Sequence, residues 1–514
     1  MSIYKSPNKI FLIFLAVFLG LFGLAESSEA ANRYVRQGAS GNGSDWANAY
    51  GSLPSALTRG DTYYLATGSY GAGHIFDDAV NGTLVITIKK ATVADHGTST
   101  GWSDSYGTGQ AIFTGPIIFA TSYYTIDGNG THIVPSTNTL DYGIKVSLNT
   151  HLLHAGYVQI TNSSNITIRY VHVYNAARDQ EGILGSDDTI ALRVSGVNRH
   201  HYKIQNSYFQ NCTTDGMQFG NSKYVLIERS VVERLGRRRP YCGPGVRGNC
   251  PYAPYGQVLQ FHWPGAGSDL PNYIVVRWNK FIHNEGQAIL YGENFRQVRF
   301  YGNIIYNKYG QTGVCLPSVG DCTEGNRGFN NGIVAGAEAV AATPEFSYVS
   351  SYNNTHVNLR DSLTDAGAEF TQIRYHIASG YSVVAENYLY NNLYYNSNNS
   401  TSNRQTGHGY HASGGYGAPG GTNAQTGLSS SIFVDYTKDD YRVVAPTAAG
   451  LNLAAQSWWN ESADTFFGTF DSRLDMYGNI RGADGTWDRG AYEYVSGVPA
   501  DTTPPAVPTG LSIS

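Results

Sequence analysis

The sequence predicts an all-β solenoid, a chain wound into short stacked coils, on three observations. A unit of roughly 23 residues recurs through the middle of the chain. Its markers are Asn175 in VHVYNAA, Asn211 in SYFQNCT, Arg234 in SVVERLG, Asn284 in KFIHNEG and Asn307 in NIIYNKY. The steps are 211 − 175 = 36, 234 − 211 = 23, 284 − 234 = 50 and 307 − 284 = 23, so two equal one unit and two are a unit plus inserted loop. Each marker follows an alternating run, as in NITIRYVHVY or KYVLIERSVV, and alternation describes strands with one buried face. A second short strand follows each marker, opening at Asp188 (DTIALRV), Asp215 (DGMQFGN), Gln257 (QVLQFHW), Gln287 (QAILYGE) and Asn331 (NGIVAGA). Units this short bury an apolar face only by stacking on their neighbours.

The elements follow in order. Lys5 and Lys9 precede the apolar run IFLIFLAVFLGLFGLA, and small residues near Ala30 suit cleavage, so residues 1–30 read as a signal peptide. That predicts a secreted, extracellular or cell-surface protein with no integral membrane segment after signal removal. Residues 31–120 read as an N-terminal cap and first coils, with SLPSAL as a short helix over the open end. Residues 121–396 read as central coils, 397–495 as a long loop with C-terminal coils and cap, and 496–514 as a Pro-rich linker. With 60 Gly, 39 Tyr and 14% charged residues, the chain has the make-up of a turn-rich β protein. A net charge of −5 argues against a nucleic-acid partner. An acidic polysaccharide stays open through local basic loops, and oligomeric state is not legible.

These coils resemble the right-handed parallel β-helix family, the pectate-lyase-like superfamily, most strongly from about Ser164 to Asn396. FVDYTKDDYRVVAP followed by DMYGNIRGADGTWDRGAYEY is similar to the closing segment of a bacterial extracellular subgroup. PPAVPTGLSIS resembles the first strand of a fibronectin type III module. The resemblance implies a right-handed parallel β-helix with an N-terminal cap and long loops on one side. It leaves function open, because this solenoid carries polysaccharide lyases, hydrolases, epimerases, tailspikes and adhesins.

Export permits disulfides. Cys242 with Cys250, and Cys315 with Cys322, bracket short loops rich in Gly and Pro and are expected to pair, leaving Cys212 as a buried thiol.

The chemistry is expected where the repeat is interrupted, at 176–187, 235–256 and 308–330. Each insertion leaves between a marker and the second strand, so all three should wall one groove. Parity places Ile190, Leu192, Met217, Phe219, Leu259, Phe261, Ile289 and Tyr291 inward, and Arg193, Gln218, Gln260 and His262 outward. Ile190, Met217, Leu259, Ile289 and Ile333 should stack in one internal row. Asp188 and Asp215 take equivalent places in consecutive coils; paired carboxylates suit acid/base work, or Ca²⁺ together with Asp187. A polar turn ladder continued by Gln257, Gln287 and Asn331 is the alternative. Arg237, Arg238 and Arg239 form a dense basic cluster suited to neutralising a uronate, with His262 or Tyr241 as base and Tyr252 as a sugar platform. Two classes result: a polysaccharide lyase or glycoside hydrolase, and a non-catalytic surface or glycan-binding protein.

Overall fold

The computed structural model describes residues 30–149, 156–176, 190–196, 199–212, 216–220, 222–235, 257–261, 272–284, 288–293, 296–306, 331–337, 347–357, 370–377, 388–395, 399–400, 424–425, 429–445, 452–453, 465–467 and 473–496. The chain is a right-handed parallel β-helix. Three parallel sheets, here A, B and C, contain 11, 11 and 10 strands among the described residues, and each coil visits them in that order. Sheet A runs from Asn32–Val35 to Tyr388–Tyr390, sheet B from Gly68–Ser69 to Ala424–Gln425, and sheet C from His74–Phe76 to Asn399–Ser400.

The internal row of sheet C differs from expectation at two of five places. It reads Ile117, Val158, Leu192, Met217, Leu259 and Leu290, and the backbone register continues through positions 333 and 373. Leu192 replaces Ile190, which pairs with Gly156, and Leu290 replaces Ile289. Ile289 is nonetheless buried, as are Ala191 and Val258 at the same register. Apolar residues at both parities made the last strand ambiguous. Tyr291, expected inside, pairs with Gln260 on the outward side.

Two of the markers are left-handed turn residues, Asn211 at φ 65° and Arg234 at φ 53°, and beside the fourth His283 has φ 48°; Asn175 instead ends the strand Val171–Asn175. At the fourth marker the left-handed residue is thus His283, one before Asn284. Asn284 instead accepts from Leu235 N–H at 2.8 Å and donates to the Val232 carbonyl at 2.7 Å.

The turn from sheet A to sheet B is tight and repeats without insertion in the later coils. A left-handed residue (Asn206, Arg229, Trp278, Gly302, Asn353, Asn391) precedes a Ser or Asn whose side chain accepts the backbone N–H of its counterpart one coil earlier. Ser207 accepts from Val171, Ser230 from Ser207, Asn279 from Ser230, Asn303 from Asn279, Asn354 from Asn303 and Asn392 from Asn354, at 2.9 to 3.2 Å. Backbone groups that the turn removes from the sheet ladders are satisfied there, where water is excluded.

The N-terminal end is closed without the expected helix. SLPSAL forms bends, yet Leu53 and Leu57 still enter the main core cluster. Buried Arg59 holds this segment, donating to the carbonyls of Asp78, Ala79, Ser122 and Tyr123. Those backbone acceptors fix an irregular loop that propensity alone would leave undefined.

The outer face of sheet B is covered by the C-terminal segment. Phe433, Tyr441, Val443, Leu453, Met476, Trp487 and Tyr492 form one apolar cluster with Ile304, Tyr306, Tyr352, Val357 and Leu393 of sheets A and B. Backbone bonds tie it down: Ala491 N–H donates to Thr355 Oγ1 at 2.8 Å and Gly490 N–H to the Asn391 carbonyl at 2.7 Å. Within the described residues that cluster contains no residue of sheet C.

Burial also sets an acid response. His172 is 1% exposed and stacked on Tyr208 at 4.8 Å. Burial first, then Lys145, pushes its imidazole from 6.5 down to about 3. Buried His356 is likewise pushed to about 3 by burial. With folded values below unfolded ones, this contribution to stability is complete above 6.5 and lost as pH falls toward 3. Each group should steepen the loss by about 1.4 kcal/mol per pH unit. Denaturant unfolding of His172→Phe across that window should show a shallower slope than the wild type; parallel curves would refute the assignment.

Candidate functional site

Sheet C is the face flanked on both edges by long connections. Those entering it join Asn175 to Ile190, Glu233 to Gln257 and Tyr306 to Asn331, as the three insertions require. Others leave its opposite edge, between Phe261 and Asn272, Ala337 and Ser347, and Ile377 and Tyr388. This second set was not anticipated, although the spacing between the alternating runs contained it.

One outward row crosses the sheet in register: Ile75, Ile118, Gln159, Arg193, Gln218, Gln260 and Tyr291. Successive positions are about 4.8 Å apart, the strand spacing. Alternation along each short strand puts these residues opposite the internal row. Gln159, Arg193, Gln260 and Tyr291 are half-buried, and Gln218 is 7% exposed. Gln218 Nε2 donates to Gln260 Oε1 at 2.8 Å, and Gln159 Nε2 to the Gly156 carbonyl at 3.1 Å. Gly156 also makes room for Arg193, since a Cβ there would lie 3.0 Å from the Arg193 Cβ. The floor is therefore a line of amides with one guanidinium and one phenol, in which Gln218 and Gln260 are bonded across adjacent coils. Such a line can hydrogen-bond a repeating polar chain laid along the solenoid axis.

Of the sequence candidates, the structure brings together Arg193, Gln218 and Gln260. Gln159 and Tyr291 join them; the first lay one coil before the aligned strands, and the second was assigned to the core. Asp187, Asp188, Asp215, His262, Arg237, Arg238, Arg239, Tyr241 and Tyr252 lie outside the described residues, as do Cys242, Cys250, Cys315 and Cys322. Cys212 is buried in the main core cluster. Arg193 pairs with Gln218, a step of 218 − 193 = 25; the carboxylates Asp188 and Asp215, and the Ca²⁺ site they would form with Asp187, fall outside the described residues. In the polar turn ladder Gln257 pairs with Ala288, not Gln287, because the fourth strand is shifted by one. Among the described residues no group of three His, Cys, Asp or Glu side chains is placed to hold a metal ion. No helix there is long and apolar enough to cross a membrane.

No family model and no curated protein matches the chain. Among solved structures it is similar to the pectate lyase Pel9A, at 14% identity and a TM-score of 0.32, over 91% of this chain and 97% of that one. It is also similar to the PL6 family alginate lyase AlyGC, at 12% identity and a TM-score of 0.29, over 73% of this chain and 50% of that one. Likeness at this level carries no argument about activity, and the fold rests on the coil-by-coil register.

Proposed function

We propose that this is a secreted polysaccharide-active protein that holds an acidic glycan along the outward row of sheet C and cleaves it there. The row from Gln159 to Tyr291 carries the reading, since it offers a polar or aromatic group at each of five successive coils. Arg193 suits a sugar carboxylate, the glutamines suit ring hydroxyls, and Tyr291 suits a sugar face. β-Elimination is favoured over hydrolysis. In that reaction a cation, from Arg193 or from Arg237, Arg238 and Arg239, neutralises the uronate so that a base can take the proton α to it. His262 is the candidate base, Asp215 a candidate acid, and Tyr252 a stacking group. Ca²⁺ has no derived role. The loops that would bring these residues in are held by Cys242–Cys250 and Cys315–Cys322 disulfides, which unreduced peptide mapping tests.

Pectin, alginate and glycosaminoglycans should be assayed in parallel for ultraviolet absorbance of unsaturated uronate and for new reducing ends. Both signals indicate a lyase and reducing ends alone a hydrolase. His262→Ala and Asp215→Ala should each lower turnover at least ~100-fold, and Gln218→Ala with Gln260→Ala should raise KM with less effect on kcat. Full activity in both single variants would overturn the assignment. A non-catalytic glycan-binding protein is the second reading. It draws support from a floor whose two central residues, Gln218 and Gln260, are neutral amides already bonded to each other. Glycan retention without turnover would favour it.

A further inference from the structure

At the corner between sheets A and B in the first coils, the tight turn is replaced by two loops, 91–110 and 128–143. They enclose a cleft of about 320 Å³, near the lower end of the roughly 300–1,000 Å³ of small-molecule sites. Lys90 lines it together with Thr92, Gln110, Asn129, His132 and Asp141. Lys90 ends the strand Ile86–Lys90 and pairs with Leu65 at a position whose parity faces the core. It is 1% exposed. Gly143 leaves space for it, since a Cβ there would lie 2.7 Å from Lys90 Cγ.

The Lys90 amine donates to the Ala91 carbonyl and, at 3.0 Å, to the Tyr106 carbonyl. An ammonium carries three donors, so one direction is left. Among the described residues no carboxylate lies within ion-pair distance of it. Asp127 is held by Arg169 at 2.7 Å and Asp95 by Lys89 at 2.5 Å. Asp141, in the cleft wall, accepts from Ser136 and Asn138. Burial lowers the affinity of His132 for protons. Burial likewise lowers the Lys90 amine to about 8. A buried cation without a counter-ion is expensive, and its position beside a polar cleft fits a ligand that brings the missing charge.

We propose that this cleft binds a single carboxylated sugar unit of the uronate class, with the sugar carboxylate on Lys90. The wall supplies what a sugar ring needs besides. Gln110 donates its amide to the Thr139 and Tyr142 carbonyls, and among the described residues its oxygen accepts no bond. Asn129 is likewise anchored through its amide on the Lys90 carbonyl. The site lies at a different corner from the sheet C row and does not depend on its function.

The test is calorimetric titration of the full chain with glucuronate, with glucose and acetate as controls. Glucuronate should bind, and at least ~10-fold more weakly at about pH 9.5 than at about pH 7, because the free amine loses its charge through that range. Lys90→Met should abolish binding, and alanine at the exposed Asn81 should leave it unchanged. Should Lys90→Met fail to fold, Gln110→Ala in the cleft wall gives a second reading: it should weaken glucuronate at least ~10-fold. No binding, equal binding of glucose or acetate, or undiminished binding by Gln110→Ala would overturn the proposal. Loss of glycan turnover with this binding intact would count only against the groove.

Discussion

Replacing Arg277 by alanine is expected to destabilise the protein by about 3–5 kcal/mol. Arg277 and Glu228 face each other across adjacent strands of sheet A with 2.6 Å between Arg277 Nε and Glu228 Oε2, both nearly fully buried. Gln205 adds a 2.6 Å bond to the other Glu228 oxygen. Burial would raise the Glu228 carboxyl, but the facing guanidinium holds it below its ordinary value. The pair belongs to one outward row, Lys89, Asp127, Arg169, Gln205, Glu228, Arg277, Tyr301 and Tyr352, in which charges oppose their neighbours coil by coil. Removing the arginine leaves a carboxylate buried without its cation. The double variant Glu228→Gln with Arg277→Met should therefore be less damaging than Arg277→Ala alone. Equal losses in urea unfolding would mean that packing, not charge, dominates.

Asn303→Ala should cost at least about 3 kcal/mol, from buried hydrogen-bonding groups left without partners at ~1–3 kcal/mol each. Asn303 Oδ1 accepts from Asn279 N–H at 3.0 Å and from Asn279 Nδ2 at 3.1 Å, and its Nδ2 donates to the Val276 carbonyl at 3.0 Å and to Asn354 Oδ1 at 3.1 Å. The exposed Asn81 is the control, and alanine there should stay within about 0.5 kcal/mol. A comparable loss at both positions would remove the ladder from the account of stability.

The coils were legible because strand alternation and left-handed turn residues are local signals, repeated often enough to align. Where the alignment slipped, two residue types suited one place. His283 and Asn284 both tolerate turns, and the asparagine was needed for the bond to Leu235. Ile289 and Leu290 are both buried apolar residues, so parity could not choose between them, and Tyr291 was carried inward with the error. The Leu53 and Leu57 spacing fits a helix as well as the irregular loop that Arg59 holds. For the site, the floor residues Arg193, Gln218 and Gln260 were legible from parity. The carboxylates Asp188 and Asp215 lie on the inserted connections, outside the described residues. Lys90 carried a signal that went unread, a charged residue at an inward place in ITIKK.

A bare solenoid unravels from its ends, since each coil touches only its neighbours and stability is a sum of nearest-neighbour terms. The C-terminal segment changes that arithmetic. Phe467 accepts from Arg277, while Gly490 and Ala491 hold Asn391 and Thr355, so one late stretch clasps two adjacent late coils and the earlier coil of Arg277, which touches neither. Fraying of the last coil must break that clasp, and breaking it exposes the apolar flank of several coils together. The C-terminal half should melt as one block, with amide exchange protection nearly uniform from Arg277 to Leu393, whereas the early coils should open in steps. The same clasp forms only between segments distant in sequence, so its closure should be the slow, late event in folding.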